Sequence, residues 1–258
     1  NGTRIAYAEY GRADGTAVVF LHGTPGSRRL GRLFETAARE HGVRLLAPDR
    51  PGYGQSTPWP DRSIDDASTC ITAVLDDAGV ETAGLIAFSG GAPYALATAA
   101  NAPRRVRRVD IVSGATPPAV TDTTPAIQRL LAGLARATPT LLGGLLRGQA
   151  ALARQLDPSF VVGQYTTGEA SVPDEAAAIV AADFRAALAG GASGAVTEFR
   201  DAAAAWDLPH EEITAPVRFR HGSDDTNVPI EGVHRLADRL PTGRVEVLDG
   251  ADHLETLL

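Results

Sequence analysis

The stretch Leu85-Ile86-Ala87-Phe88-Ser89-Gly90-Gly91, continued by the Ala-rich run Ala92 to Ala100, restricts the fold more than any other part of the chain. Ala83 to Phe88 is uncharged and of strand length, the two glycines permit a sharp turn, and the small residues beyond suit a closely packed helix. The same rhythm recurs elsewhere. Ala17 to Leu21 and Val43 to Ala47 are largely apolar runs, closed by His22-Gly23-Thr24-Pro25-Gly26 and by Pro48-Asp49-Arg50-Pro51-Gly52-Tyr53-Gly54-Gln55-Ser56. Between them, residues 28–40 carry Leu30, Leu33, Phe34 and Ala37 at helical spacing. Residues 64–80 place Ile64, Ala67, Ile71, Val74 and Ala78 on one helix face, with Asp61 or Ser63 as its cap. Val106 to Val112, Val217 to Arg220 and Val245 to Leu248 read as further strands, and Gly232 to Leu240 as a helix. Strands alternating with helices predict an α/β chain with a doubly wound, mostly parallel sheet covered on both faces.

The alternation lapses at residues 117–204, which lack a strand pattern. Ile127, Leu130, Leu131 and Leu134 share one helix face, Leu141, Leu142, Leu145 and Leu146 another, and Val180, Phe184, Ala187 and Leu188 a third, with Pro139, Pro158 and Pro173 as helix starts. The expected organisation is a core of residues 1–116 and 205–258 carrying a helical cap of residues 117–204.

Composition removes several function classes. All 24 basic side chains are Arg, so lysine Schiff-base and P-loop chemistry are absent. A net charge of -7 lacks the basic footprint of a nucleic-acid binder. No apolar run reaches the ~20 residues of a membrane span, and the first residues carry no leader pattern. Cys70 is the single cysteine, and no His, Cys, Asp or Glu cluster has metal-ligand spacing, so neither a metal nor a cofactor is expected. The expected setting is cytoplasmic, with a small-molecule acyl substrate, no nucleic-acid or membrane partner, and a monomer or homodimer.

Chemistry concentrates where strands end. A serine at a strand–turn–helix junction is lifted clear of the strand, provided that the residues two before and two after it are small; here those are Ala87 and Gly91 around Ser89. Ala87 adds a methyl, so a slightly opened turn is expected. The loop after Val217 to Arg220 offers Asp224 and Asp225, and His253 follows the last strand in Asp249-Gly250-Ala251-Asp252-His253. Ligands bind at the carboxyl edge of such sheets, so nucleophile, acid and base arrive together in that chain order. The His22–Gly26 turn can aim the Thr24 amide at the same place beside that of Gly90, giving two donors for an oxyanion.

These pieces, with the Asp49–Ser56 segment, resemble the serine α/β-hydrolase superfamily in its cofactor-free, cap-bearing branch. The resemblance spans the sheet but not the cap. It implies Ser89 as nucleophile, Asp225 as acid (the aspartate of a Gly-x-x-Asp-x-x-Val-Pro pattern), His253 as base, and Thr24 and Gly90 as oxyanion donors. Two positions depart from the pattern: Ala87 stands for glycine, and Asp252 for the glycine before the histidine, where an inward carboxylate would raise the histidine pKa. Dehalogenases and epoxide hydrolases of this fold use an aspartate nucleophile, so Ser89 argues against both; Thr24 and Gly90 depart from the iminopeptidase pattern.

The expected activity is hydrolysis of a small-to-medium apolar ester, thioester or lactone through an acyl-enzyme. Carbon–carbon bond hydrolysis, perhydrolase or haloperoxidase-like chemistry on the same triad, and a ligand-binding module with vestigial catalysis are the alternatives. Cys70, Trp206 and His221 read as packing or structural residues, His41, His210 and His234 as surface or helix-end residues, Asp110 as a fallback acid, and Arg104, Arg105, Arg107 and Arg108 as a solvated strand entry.

Overall fold

A computed structural model describes residues 2–166 and 172–258; Asn1 of the stretch read for a leader and residues 167–171 of the expected cap lie outside the described residues. The strands β1 (Tyr7–Gly11), β2 (Thr16–Leu21), β3 (Val43–Pro48), β4 (Ala83–Phe88), β5 (Val106–Val112), β6 (Val217–Gly222) and β7 (Gly243–Leu248) form one sheet. Their order is β1-β3-β2-β4-β5-β6-β7, and every pairing is parallel except that of β1 with β3. β1 has no apolar run to announce it in the sequence. Its residues are half-buried with Glu9 exposed, and it forms by completing the backbone ladder along the outer edge of β3.

The two innermost strands, β2 and β4, carry no charged residue because both of their faces are covered. Successive side chains of β2 enter opposite cores. Val19 and Leu21 pack with Leu85, Ala87 and Ile111 against α2 (Ala67–Asp77), α3 (Ala92–Asn101) and α9 (Ile230–Ala237). Val18 and Phe20 pack with Leu45 and Phe88 on the other face.

Two expected helices differ in detail. α2 begins at Ala67 with Asp66 at its N-cap; the Asp66 carboxylate accepts from the Ser63 amide at 2.8 Å and hydroxyl at 3.0 Å, closing a turn ahead of the helix. Neither Asp61 nor Ser63 is the cap. Residues 28–40 divide into a 3-10 turn, Arg28–Phe34, and a short α1, Glu35–Glu40. Gly31 presses on the sheet within that turn: a Cβ there would stand 2.9 Å from both Tyr10 and Ala47.

Between β5 and β6 the described residues form α4 (Ala126–Ala137), α5 (Pro139–Leu152), α6 (Ser159–Val162), α7 (Asp174–Ala187) and α8 (Ser193–Ala202), with no strand. Pro139 opens α5, whereas Pro158 and Pro173 stand one position earlier, at the N-caps of α6 and α7. The interior of this segment is continuous with the second core: Leu142, Leu146, Val180 and Phe184 belong to the cluster that contains Phe20 and Phe88. The four leucines expected on one face of α5 separate. Leu142 and Leu146 are buried, while Leu141 and Leu145 are 54% and 56% exposed. Each pair is spaced four apart and so forms its own row on the helix surface, and only one row is buried in the second core.

Candidate active site

Ser89 directly follows β4 with φ at +49°, in the left-handed region that a residue with a Cβ rarely enters. That conformation turns the chain from strand into helix and raises the hydroxyl above the sheet edge. The helix passes so close behind that a Cβ on Gly91 would lie 2.6 Å from the Leu21 carbonyl oxygen. Ala87 is fully buried beneath the turn, which keeps its sharp backbone despite the extra methyl.

His253 reaches this point from the loop after β7. Its Nε2 lies 3.0 Å from Ser89 Oγ, and its Nδ1 lies 2.7 Å from Asp225 Oδ2. The other Asp225 oxygen accepts the amides of Asn227 and Val228, each at 2.9 Å. Burial works against the ionised carboxyl, but the hydrogen bond and charge of His253 and the Val228 amide outweigh it, holding Asp225 below the ordinary aspartate range. An ionised Asp225 makes Nδ1 the donor and leaves Nε2 free to accept from the serine. Ser89, Asp225 and His253, far apart in the chain, thus share one hydrogen-bonded line.

Asp224 is exposed and accepts from the Ser223 hydroxyl at 2.8 Å. Asp110 instead pairs with Arg108 and Arg218, both at 2.9 Å. His221 is fully buried behind the acid, with Nε2 at 2.9 Å from the Val228 carbonyl and 3.3 Å from Asp225 Oδ2; burial pushes its pKa down. Asp252 is occupied in shaping the loop: its carboxylate accepts the amides of Leu254 and Glu255 at 3.1 Å and the hydroxyl of Thr166.

Thr24 and Gly90 sit side by side, the Thr24 amide nitrogen 3.3 Å from where a Gly90 Cβ would stand. With Ser89 and His253 they border a cavity of about 820 Å³. Of the leucine-rich faces, Ile127, Leu131 and Leu146 contribute to its wall, joined by Tyr165, Phe184 and Trp206. Trp206 also packs in the core, so it serves both as anchor and as lining. Gln128, Arg129, Arg136, Gln149 and Asn227, together with Glu198 and Asp201, contribute to the polar part of the lining. Among the described residues no group of three or more His, Cys, Asp or Glu is placed to hold a metal ion, and no helix is long and apolar enough to cross a membrane.

Two buried carboxylates near the site escaped the sequence reading. Glu198 on α8 accepts from Arg50, Arg62, Tyr53 and Thr24. Burial alone would raise its pKa, but Arg50 and Arg62 bring it down to about 2. Asp183 on α7 accepts from the Ser27 amide at 2.8 Å, the Ser27 hydroxyl at 2.6 Å and the Leu30 amide at 3.0 Å. Burial pushes it up to about 7. Each is one acid in an Ala-rich helical stretch, and nothing local in the sequence distinguishes it from a solvated one.

A family described as alpha/beta hydrolase fold matches residues 16–255. A haloalkane dehalogenase of Mycolicibacterium paratuberculosis is 33% identical over 146 residues, covering 55% of this chain and 48% of that protein. A non-heme chloroperoxidase of Streptomyces lividans is 34% identical over 128 residues, covering 48% of this chain and 46% of that one. The chain spans about half the length, or less, of the curated relatives it matches. Among solved structures, an enol-lactonase from Burkholderia xenovorans aligns with 100% of this chain and 92% of its own, with a TM-score of 0.75 at 21% identity, a likeness of fold.

Proposed function

Since this chain belongs to the alpha/beta hydrolase fold family, we propose that it is a serine hydrolase cleaving a small-to-medium, largely apolar ester, thioester or lactone through an acyl-enzyme. The observation that carries this reading is the Ser89–His253–Asp225 line, at 3.0 Å and 2.7 Å, bordering a largely apolar-walled cavity. His253 Nε2 takes the Ser89 proton as Oγ attacks the acyl carbon. The carbonyl oxygen becomes an oxyanion facing the Thr24 and Gly90 amides, and His253 then delivers the proton to the leaving oxygen or sulfur. Water, deprotonated by the same imidazole, attacks the Ser89 ester and releases the acid. Asp225 stays ionised throughout, fixing the imidazole tautomer and favouring imidazolium.

Position 89 presents a hydroxyl rather than a carboxylate, which favours acyl transfer over the aspartate-nucleophile chemistry of dehalogenases. A second reading draws on the chloroperoxidase relative: peroxide in place of water would attack the same acyl-enzyme, giving a peracid and free serine. The discriminating experiment is turnover of p-nitrophenyl acetate, with water and peroxide compared as acyl acceptors. Ser89→Ala should lower kcat by at least about 10³-fold and abolish labelling by a fluorophosphonate. A variant as active as the parent would remove the basis of the assignment.

A further inference from the structure

We propose that Glu198, contributed by α8, is a positioning residue that sets the aim of the Thr24 amide and thereby tunes oxyanion stabilisation. The inference rests on the acyl-transfer reading above and adds to it a residue outside the sheet.

The peptide between Gly23 and Thr24 is planar and trans, so its N–H points away from its own C=O. The Gly23 carbonyl accepts from Arg50 Nη2 at 3.0 Å, and the preceding His22 carbonyl accepts from Arg50 Nη1. With these carbonyls turned toward Arg50, the Thr24 N–H is directed away from it, and its nitrogen lies alongside Gly90. Arg50 therefore aims the donor from behind.

Arg50 is held in turn by Glu198, Nε to Oε1 and Nη2 to Oε2, both at 2.7 Å, a two-pronged contact that fixes the guanidinium plane. Glu198 also holds the loop directly. Its Oε2 accepts the Thr24 hydroxyl at 2.6 Å, while the Tyr53 hydroxyl at 2.8 Å and Arg62 Nη2 at 2.8 Å complete its shell. The side chains of Arg50, Arg62 and Glu198 are at most 5% exposed, so water does not compete for these bonds. A donor that must meet a developing charge gains from being fixed beforehand. The carboxylate thus links the helical segment to one half of the proposed oxyanion pair.

Thr24→Val tests the link, because it keeps the amide and the side-chain shape and removes only the hydroxyl, which donates to Glu198 and accepts from Arg50 Nη2 at 3.3 Å. With p-nitrophenyl acetate, kcat should fall about tenfold while KM stays within about twofold, and a trifluoromethyl ketone that forms a tetrahedral adduct should bind about tenfold more weakly. Thr24→Ser, which keeps the hydroxyl, should restore both. Glu198→Gln should lose at least as much, and the Thr24 pair keeps the test decisive where that variant does not fold. Unchanged kcat in Thr24→Val would overturn the proposal. So would a fall in kcat without matching loss of ketone affinity, or failure of serine to rescue. Fluorophosphonate labelling of the parent separates the two levels: a parent that neither labels nor turns over removes the acyl-transfer reading and this inference together, whereas an active parent with an indifferent Thr24→Val removes this inference alone.

Discussion

The sheet and the helical segment between β5 and β6 are held by different means. Strands β2, β4, β6 and β7 are fixed by backbone ladders whose spacing no side chain alters, and their carboxyl ends deliver Thr24, Ser89, Asp225 and His253 to one edge. Among the described residues the helical segment has no strand paired with the sheet. It is joined by a shared apolar face, by single backbone hydrogen bonds such as that from the Gly54 amide to the Ala187 carbonyl at 3.2 Å, and by two buried acids, Glu198 and Asp183, that grip the loop between β2 and α1. A site whose chemistry is placed by strand ladders, beside a helical segment held by apolar packing and buried acids, should answer differently to perturbation in its two parts.

The buried acids of the helical segment should respond most strongly. Glu198→Ala leaves Arg50 and Arg62 buried without their partner, which costs about 3–5 kcal/mol; chemical denaturation measures it, and a loss below about 1 kcal/mol would show that the carboxylate is not a principal tie. Next in size is a pH effect at Asp183. Its folded pKa is raised to about 7, so the native state holds a proton that the unfolded chain releases near the ordinary aspartate value. The contribution is complete below that value and declines as pH rises toward 7, with a slope of up to roughly 1.4 kcal/mol per pH unit. Asp183→Asn should flatten the stability profile between about pH 4 and 7, and parallel profiles for parent and variant would contradict the assignment. The smallest effect belongs to the outer row of α5. Leu145→Gln, on a side chain that is 56% exposed, should shift stability by no more than about 0.5 kcal/mol; a larger loss in thermal unfolding would mean that this row is covered in solution.

The same division separates what was legible from what was not. The runs at Ala17 and Ala83 marked their strands because a strand buried on both faces is apolar along its length, whereas those at Val43 and Val106 keep apolar residues mainly toward their carboxyl ends. Ser89 was legible because a strand–turn–helix junction needs small neighbours on both sides, and His253 because it follows the last strand. Between Asp224 and Asp225 the residues themselves did not choose. The structure separates them by burial and by the 2.7 Å contact to His253. β1 was missed because an edge strand needs only one covered side, and Asp66 because three acids and a serine compete for one helix start.

What the chain determines alone is therefore what local periodicity and turn chemistry encode: most of the strand runs, the sharp turn at Ser89, and the delivery of a hydroxyl, an imidazole and a carboxylate to strand ends. Tertiary structure alone decided which leucine row turns inward and that Glu198 meets Arg50 across 148 positions of sequence. Such pairings leave no local pattern, because a buried carboxylate and a solvated one occupy the same helical spacing until packing removes the water from one of them.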